Sequence, residues 1–181
     1  HLTREVTSHK VSGMELHRAL IGPRPRACFL GDIENLAGRP TGPTCDDVRT
    51  IAAAVYETFG HMELHPVVAC AHCNAECVWF NWPEARRLVR SGPDGADLCL
   101  LDVIANERIA ERFGTVIIGS ADHIFSEAAA HLAAQGTRVV AAIGHGRISS
   151  KLRMAVHDVV RLPLEWHSEE NAVATEARLS A

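Results

Sequence analysis

From about residue 27 onward, short apolar runs alternate with longer helix-like stretches, and glycine or proline punctuates the joins. Residues 116–118 and 139–143 are near-continuous apolar runs, as expected of strands covered on both faces rather than half-exposed ones. Strands of that kind separated by helices are the pattern of βαβ units, which place helices on both faces of a parallel sheet. The expected fold class is therefore α/β, a three-layer α/β/α domain with a mostly parallel central sheet.

The joins place the elements. A first strand covers residues 27–32, and a helix opens at Thr44, whose hydroxyl can cap backbone amides, with Asp47 in its first turn, and runs to near Gly60. A second strand is expected over 64–71 and a helix from Pro83. After the break Ser91-Gly92-Pro93-Asp94-Gly95, a helix spans 97–112 and stops at Gly114. A strand over 115–119, a helix over 124–135 closed by Gly136, and a strand over 138–143 follow. Ser149 caps a short helix reaching His157, and 159–162 forms a last edge strand. Residues 1–26 are expected to be an arm or leader, 27–162 the folded domain, and 163–181 a polar tail.

With 181 residues, 47% of them hydrophobic, the chain can bury one sizeable core. The apolar runs fall well short of the roughly 20 residues that cross a bilayer, and no charged-then-apolar leader opens the sequence. The expectation is a cytoplasmic protein with no membrane partner. Cysteines 28, 45, 70, 73, 77 and 99 are expected to be reduced, because a core of this size needs no staples. A net charge of −4 argues against wrapping nucleic acid with the whole surface, but not against a cleft whose basic residues are local.

In an open α/β sheet, ligands bind beyond the carboxyl ends of the strands. That rule sorts the acids. Asp32 closes the first strand, Asp122 follows the 115–119 strand, and Asp97 lies in the first turn of the helix after Gly95. Asp102 sits five residues later, a rotation of about 140° on a helix, and so faces elsewhere. Asp158 belongs at the opposite edge. Three carboxylates without a histidine pair suit a hard cation, Mg²⁺ or Mn²⁺.

The stretch Phe29-Leu30-Gly31-Asp32-Ile33-Glu34-Asn35-Leu36 resembles the opening strand and loop of NYN domains within the PIN-like nucleases, where an aspartate is followed three residues later by an asparagine. Asp94-Gly95-Ala96-Asp97-Leu98-Cys99-Leu100-Leu101-Asp102 is similar to that family's glycine with two aspartates five apart. Val116-Ile117-Ile118-Gly119-Ser120-Ala121-Asp122-His123-Ile124-Phe125 is similar to its strand ending in Ser-Gly-Asp. Residues 149–162, with Leu152 and Asp158, look like its closing segment. Ala121 replaces the family's glycine, and Ile124 stands where many members carry another aspartate.

The resemblance implies Mg²⁺- or Mn²⁺-dependent hydrolysis of RNA phosphodiester bonds, an endoribonuclease activity. Asp32, Asp97 and Asp122 would hold the metal, with Asn35 beside them. Ser120, Arg39, Arg147, Lys151 and Arg153, in or after loops leaving strand ends, are expected to contact the RNA. Arg86, Arg87 and Arg90 read as a solvated helix face. One tyrosine and three tryptophans predict no extended base-stacking platform, so contact with single-stranded or looped RNA is expected to be led by the backbone. His123 adjoins Asp122, and His72 and Asn74 follow the second strand within reach of substrate. A homo-oligomer is compatible with the sequence.

Three other readings are open. Cys70-Ala71-His72-Cys73-Asn74-Ala75-Glu76-Cys77 has the ligand types of a zinc site but no distant second pair. An aspartate-nucleophile phosphatase would also place an acid after the first strand, yet Asp32-Ile33-Glu34 lacks a second aspartate two residues on. A catalytically reduced NYN module would bind RNA or a partner without turnover.

Overall fold

The computed structural model describes residues 24–39 and 42–164, so the expectations for the arm and most of the tail lie outside the described residues. In chain order the elements are β1 (Arg26–Asp32), α1 (Ile33–Ala37), α2 (Cys45–Phe59), β2 (Glu63–Cys70), a 3₁₀ turn (His72–Asn74), α3 (Ala75–Asn81) and β3 (Arg86–Val89). There follow α4 (Gly95–Asn106), α5 (Ile109–Arg112), β4 (Thr115–Gly119), a second 3₁₀ turn (His123–Phe125), α6 (Ser126–Ala134), β5 (Arg138–Ile143), α7 (Ser150–Ala155) and β6 (Asp158–Arg161). The six strands form one parallel sheet in the order β3-β2-β1-β4-β5-β6. The order reverses between β1 and β4, the crevice where open sheets of this kind bind ligands.

The side-chain period of two along β1 splits the core. Ala27 and Phe29 join one buried cluster with Leu36, Val48, Ile51 and Trp82, whereas Cys28 and Leu30 join another with Leu100, Phe125, Leu132 and Leu152. Helices α1, α2 and α3 cover the first face, and α4, α6 and α7 the second, which gives three layers. Asp32 continues the Cys28–Leu30 side, the side on which α4 lies.

The capping prediction at Thr44 is met in full: Asp47 N–H donates to Thr44 Oγ1 (3.1 Å) while Thr44 N–H donates to Asp47 Oδ2 (2.9 Å). Asp158 begins β6 and pairs with Arg138 at the start of β5, which puts it at the amino-terminal edge as expected.

Three expectations fail. The helix expected from Pro83 is the short strand β3, and the helix lies before the proline, because a residue preceding proline is pushed out of the helical region. Trp82 accordingly ends α3 at φ −139°, ψ 64°. Arg86 and Arg87 are therefore on an edge strand rather than a helix face. The helix expected over 97–112 breaks at Arg108, which adopts φ 52° between α4 and α5. Finally, Cys45 and Cys77 form a disulfide rather than staying reduced. The cap at Thr44 makes Cys45 the first residue of α2, and packing of α3 on α2 brings the two Cα atoms to 4.7 Å, within the range a disulfide spans.

Close approach explains one glycine. A Cβ on Gly144, just past β5, would overlap the Leu36 carbonyl oxygen at the end of α1. Gly144→Ala is expected to cost about 2–3 kcal/mol through overpacking against backbone that cannot give way. A lower urea midpoint at unchanged slope would show it, and an unchanged midpoint would refute the close approach.

Candidate active site

At the carboxyl end of β1 the chain turns directly into α1, and Asp32 caps it: Asn35 N–H donates to Asp32 Oδ1 (3.1 Å). Asn35 then reaches across the switch point, where its Oδ1 accepts from Ala121 N–H (3.0 Å) beyond β4. One short helix thus ties the ends of β1 and β4 together. From the β2 side, Glu34 Oε1 accepts from Ala71 N–H (2.8 Å) and from Asn74 Nδ2 (2.6 Å).

Asp97 arrives from the first turn of α4, which packs on β1, β2 and β3. Its carboxyl meets that of Asp32, and both residues are only 6% exposed. Burial, followed by the neighbouring Asp97 and Glu34 carboxylates and against the Asn35 amide, pushes Asp32 from 3.8 up to about 8. Asp97 is likewise raised, by burial first and then by the charges of Asp122, Asp94 and Glu34. Burial thus favours the protonated form of both acids of the pair. A cavity of about 210 Å³ opens beside it, lined by Asp32, Glu34, Arg90 and Asp97 among others.

Asp97 Oδ1 and Glu34 Oε2 are buried and have no hydrogen-bond donor among the described residues. A buried carboxylate oxygen without a donor is costly. Hard oxygen donors with that deficit, beside a carboxyl pair that ionises only against a strong penalty, fit a divalent cation such as Mg²⁺ or Mn²⁺.

Of the three expected metal ligands, Asp32 and Asp97 are in contact, and Asp122 is near enough for its charge to raise Asp97. Asp122 Oδ1 accepts from Ile124 N–H (3.0 Å) and lies 2.7 Å from His123 Nδ1. Among the described residues no three His, Cys, Asp or Glu side chains stand close enough to hold one ion together. Asp102 points away, as expected, and lies 3.7 Å from Arg90.

The expected RNA-contacting residues divide. Ser120 is fully buried and its Oγ accepts from Asp122 N–H (3.2 Å), so it shapes the turn. Arg39 is held at 2.7 Å by Asp47, which is 2% exposed, and serves the start of α2. Arg147, Lys151 and Arg153 are exposed, Arg147 in the loop leaving β5 and the other two on α7. His72 is taken up by Ser91, its N–H donating at 3.1 Å and its Nδ1 lying 2.9 Å from Oγ, and Asn74 by Glu34.

Two site residues escaped the sequence reading. Glu34 has no role among the expected site residues, and only its long reach to Ala71 and Asn74 shows its part. Arg90, read as solvated helix, lines the acidic cavity because β3 ends there. The zinc alternative finds no support in the arrangement, since Cys77 is in the disulfide and burial pushes the Cys70 thiol up to about 12.

No family model matches the chain, and no curated protein matches it in sequence. A crystal structure of a protein of unknown function from Vibrio parahaemolyticus is similar to it, with a TM-score of 0.57 and 14% identity over 77% of this chain and 94% of that one. At that identity the likeness speaks for the fold alone, and what this chain shares with that protein is a parallel α/β domain of the same architecture.

Proposed function

We propose that the chain is a Mg²⁺- or Mn²⁺-dependent ribonuclease that hydrolyses RNA phosphodiester bonds at Asp32 and Asp97. The observation that carries this is the buried pair of carboxyls at the switch point, one oxygen of which lacks any donor among the described residues. The NYN resemblance of the same residues supports it independently of the geometry.

Asp32 and Asp97 would hold the cation, with Glu34 Oε2 and Asp122 nearest to complete its surroundings. When bound, the cation supplies charge neutralisation at the phosphate and a water of lowered pKa. The rest falls to the chain. Asn35, its Oδ1 fixed by Ala121, keeps its amide Nδ2 as the donor for a phosphate oxygen. Arg90 offers a guanidinium at the cavity wall for the adjoining phosphate, in exchange for its long contact with Asp102. The buried floor of the site keeps these groups at low dielectric, where each charge acts strongly on the phosphate.

Labelled single-stranded RNA incubated with the protein and Mn²⁺, Mg²⁺ or chelator tests the proposal. Metal-dependent cutting is expected, with Asp97→Asn slower by roughly 100-fold or more, the scale of losing one preorganised electrostatic group. Cutting that persists in chelator or in Asp97→Asn overturns it. A second reading, a module that binds RNA without turnover, draws on the absence, among the described residues, of three His, Cys, Asp or Glu side chains grouped to hold one ion. RNA retention without cutting in any metal would select it.

A further inference from the structure

Helix α3 buries Val78 and fastens Cys77 to α2, yet its outer side shows two adjacent aromatic rings to solvent, Trp79 at 51% and Phe80 at 77% exposure. Single exposed hydrophobic side chains are ordinary, and it is two large rings on neighbouring residues of one short helix that mark a contact surface. They are also firmly based. Trp82 beneath them is fully buried, in contact with Phe29 (centroids 5.7 Å) and edge-on to Tyr56 (6.3 Å), so the helix that carries the rings is anchored in the core.

Two guanidiniums are fastened to the same helix. Arg87 donates to the Trp79 carbonyl (3.3 Å) and Arg49 donates to Asn81 Oδ1 (3.0 Å), so cations sit at two points of the helix that bears the rings. Arg49 also pairs with Asp46, whereas Arg87 has no carboxylate at ion-pair distance among the described residues. From Arg87 the strand β3 runs on to Arg90 at the acidic cavity, three residues or about 10 Å away. Arg87 lies on the α3 face of β3 and Arg90 turns to the cavity on the α4 side, so a nucleic-acid strand running from the rings to the candidate active site passes round this open edge of the sheet. Rings that take up bases beside cations that take up phosphates are the chemistry of single-stranded nucleic-acid grooves.

Resting on the ribonuclease assignment, we propose that Trp79 and Phe80 form a two-base stacking platform for single-stranded RNA, with Arg87 gripping the intervening backbone and Arg90 leading it to Asp32 and Asp97. Glu76 and Glu84 are exposed beside the platform and keep this surface from being a strongly basic one. In place of the backbone-led contact expected from the few aromatic residues, binding at this platform is stacking-led, with a shallow salt dependence of one or two phosphates, and tolerant of sequence because every base has a face to stack.

The test is the anisotropy of a fluorescent single-stranded RNA 12-mer with the full chain in chelator, for wild type, Trp79→Ala/Phe80→Ala, Trp79→Phe and Arg87→Gln. Cutting of the same RNA in Mn²⁺ is followed in parallel, and far-UV circular dichroism checks folding. The expected result is a loss of affinity of roughly tenfold for each ring removed, near-wild-type affinity in Trp79→Phe, and a smaller loss in Arg87→Gln that removes about one unit of salt slope. Equal affinities in wild type and the double variant overturn the platform. So does a double variant that changes only the sedimentation of the protein, which makes the surface a contact between copies. If the double variant cuts and binds as wild type does, the platform falls and the ribonuclease stands; if wild type neither binds nor cuts, both fall.

Discussion

Asp32→Asn is expected to make the metal-free protein more stable above pH 7 while removing RNA cutting. Asp32 holds its proton far more tightly when folded than when unfolded, with the folded value near 8 against an ordinary 3.8. Folding therefore takes up a proton between those two values. The resulting stability is complete below pH 3.8 and is lost as pH climbs through 8, so the metal-free wild type weakens steadily toward alkaline pH. At 1.36 kcal/mol for each unit, the full span is on the order of 5 kcal/mol. Asparagine presents a donor to Asp97 much as the protonated acid does, and its Oδ1 can still accept from Asn35, so the variant loses the Asp32 share of the slope and keeps only that of the raised Asp97. Melting curves from pH 5 to 9 in chelator check this: wild type should fall with pH more steeply than Asp32→Asn. A divalent cation replaces the proton as the counter-charge, so Mn²⁺ should raise the wild-type melting temperature most at high pH and leave Asp32→Asn nearly unmoved. A flat wild-type profile, or a variant less stable than wild type at pH 8.5, would remove the buried acid pair as the centre of the site.

That pair was legible in the sequence because two independent regularities locate it. An apolar run ending in an acid marks the carboxyl end of a strand, and a glycine-broken start marks the first turn of a helix, so the sequence alone places Asp32 and Asp97. Asp122 is legible as a residue after a strand but its local bonding is not: Oδ1 serves Ile124 and His123 in its own loop, a choice of hydrogen bonds that no periodicity encodes. β3 was misread because Arg86-Arg87-Leu88-Val89 is a four-residue edge strand with neither clear alternation nor a β-branched run, and edges pair on one side only. With β3 taken as a helix, Arg90 could not be seen at the cavity, nor Arg87 beside Trp79. Arg39 was assigned to RNA by its loop position, while Asp47, 2% exposed, requires a cation of its own.

The Cys45–Cys77 disulfide gives the other large effect. It closes a loop of sequence separation 32 that includes α2, β2 and the start of α3, and restricting a loop of that length in the unfolded chain is worth roughly 3–4 kcal/mol. For a domain of this size such a change moves the melting temperature by about 10 °C. Unfolding followed with and without dithiothreitol should show that difference in wild type and none in Cys45→Ser/Cys77→Ser, whose melting should match reduced wild type. The bond also bears on the site. It fixes α3 to the start of α2, and the chain just before α3 carries Asn74, whose Nδ2 holds Glu34 Oε1 at 2.6 Å and so keeps Oε2 turned to the acidic cavity. Reduction should therefore lower stability and weaken Mn²⁺ binding together, the second read from the metal-induced rise in melting temperature at pH 8. Equal melting in the two redox states would leave the loop constrained by packing alone. A stability loss without any loss of metal response would confine the bond to the scaffold and release Glu34 from it.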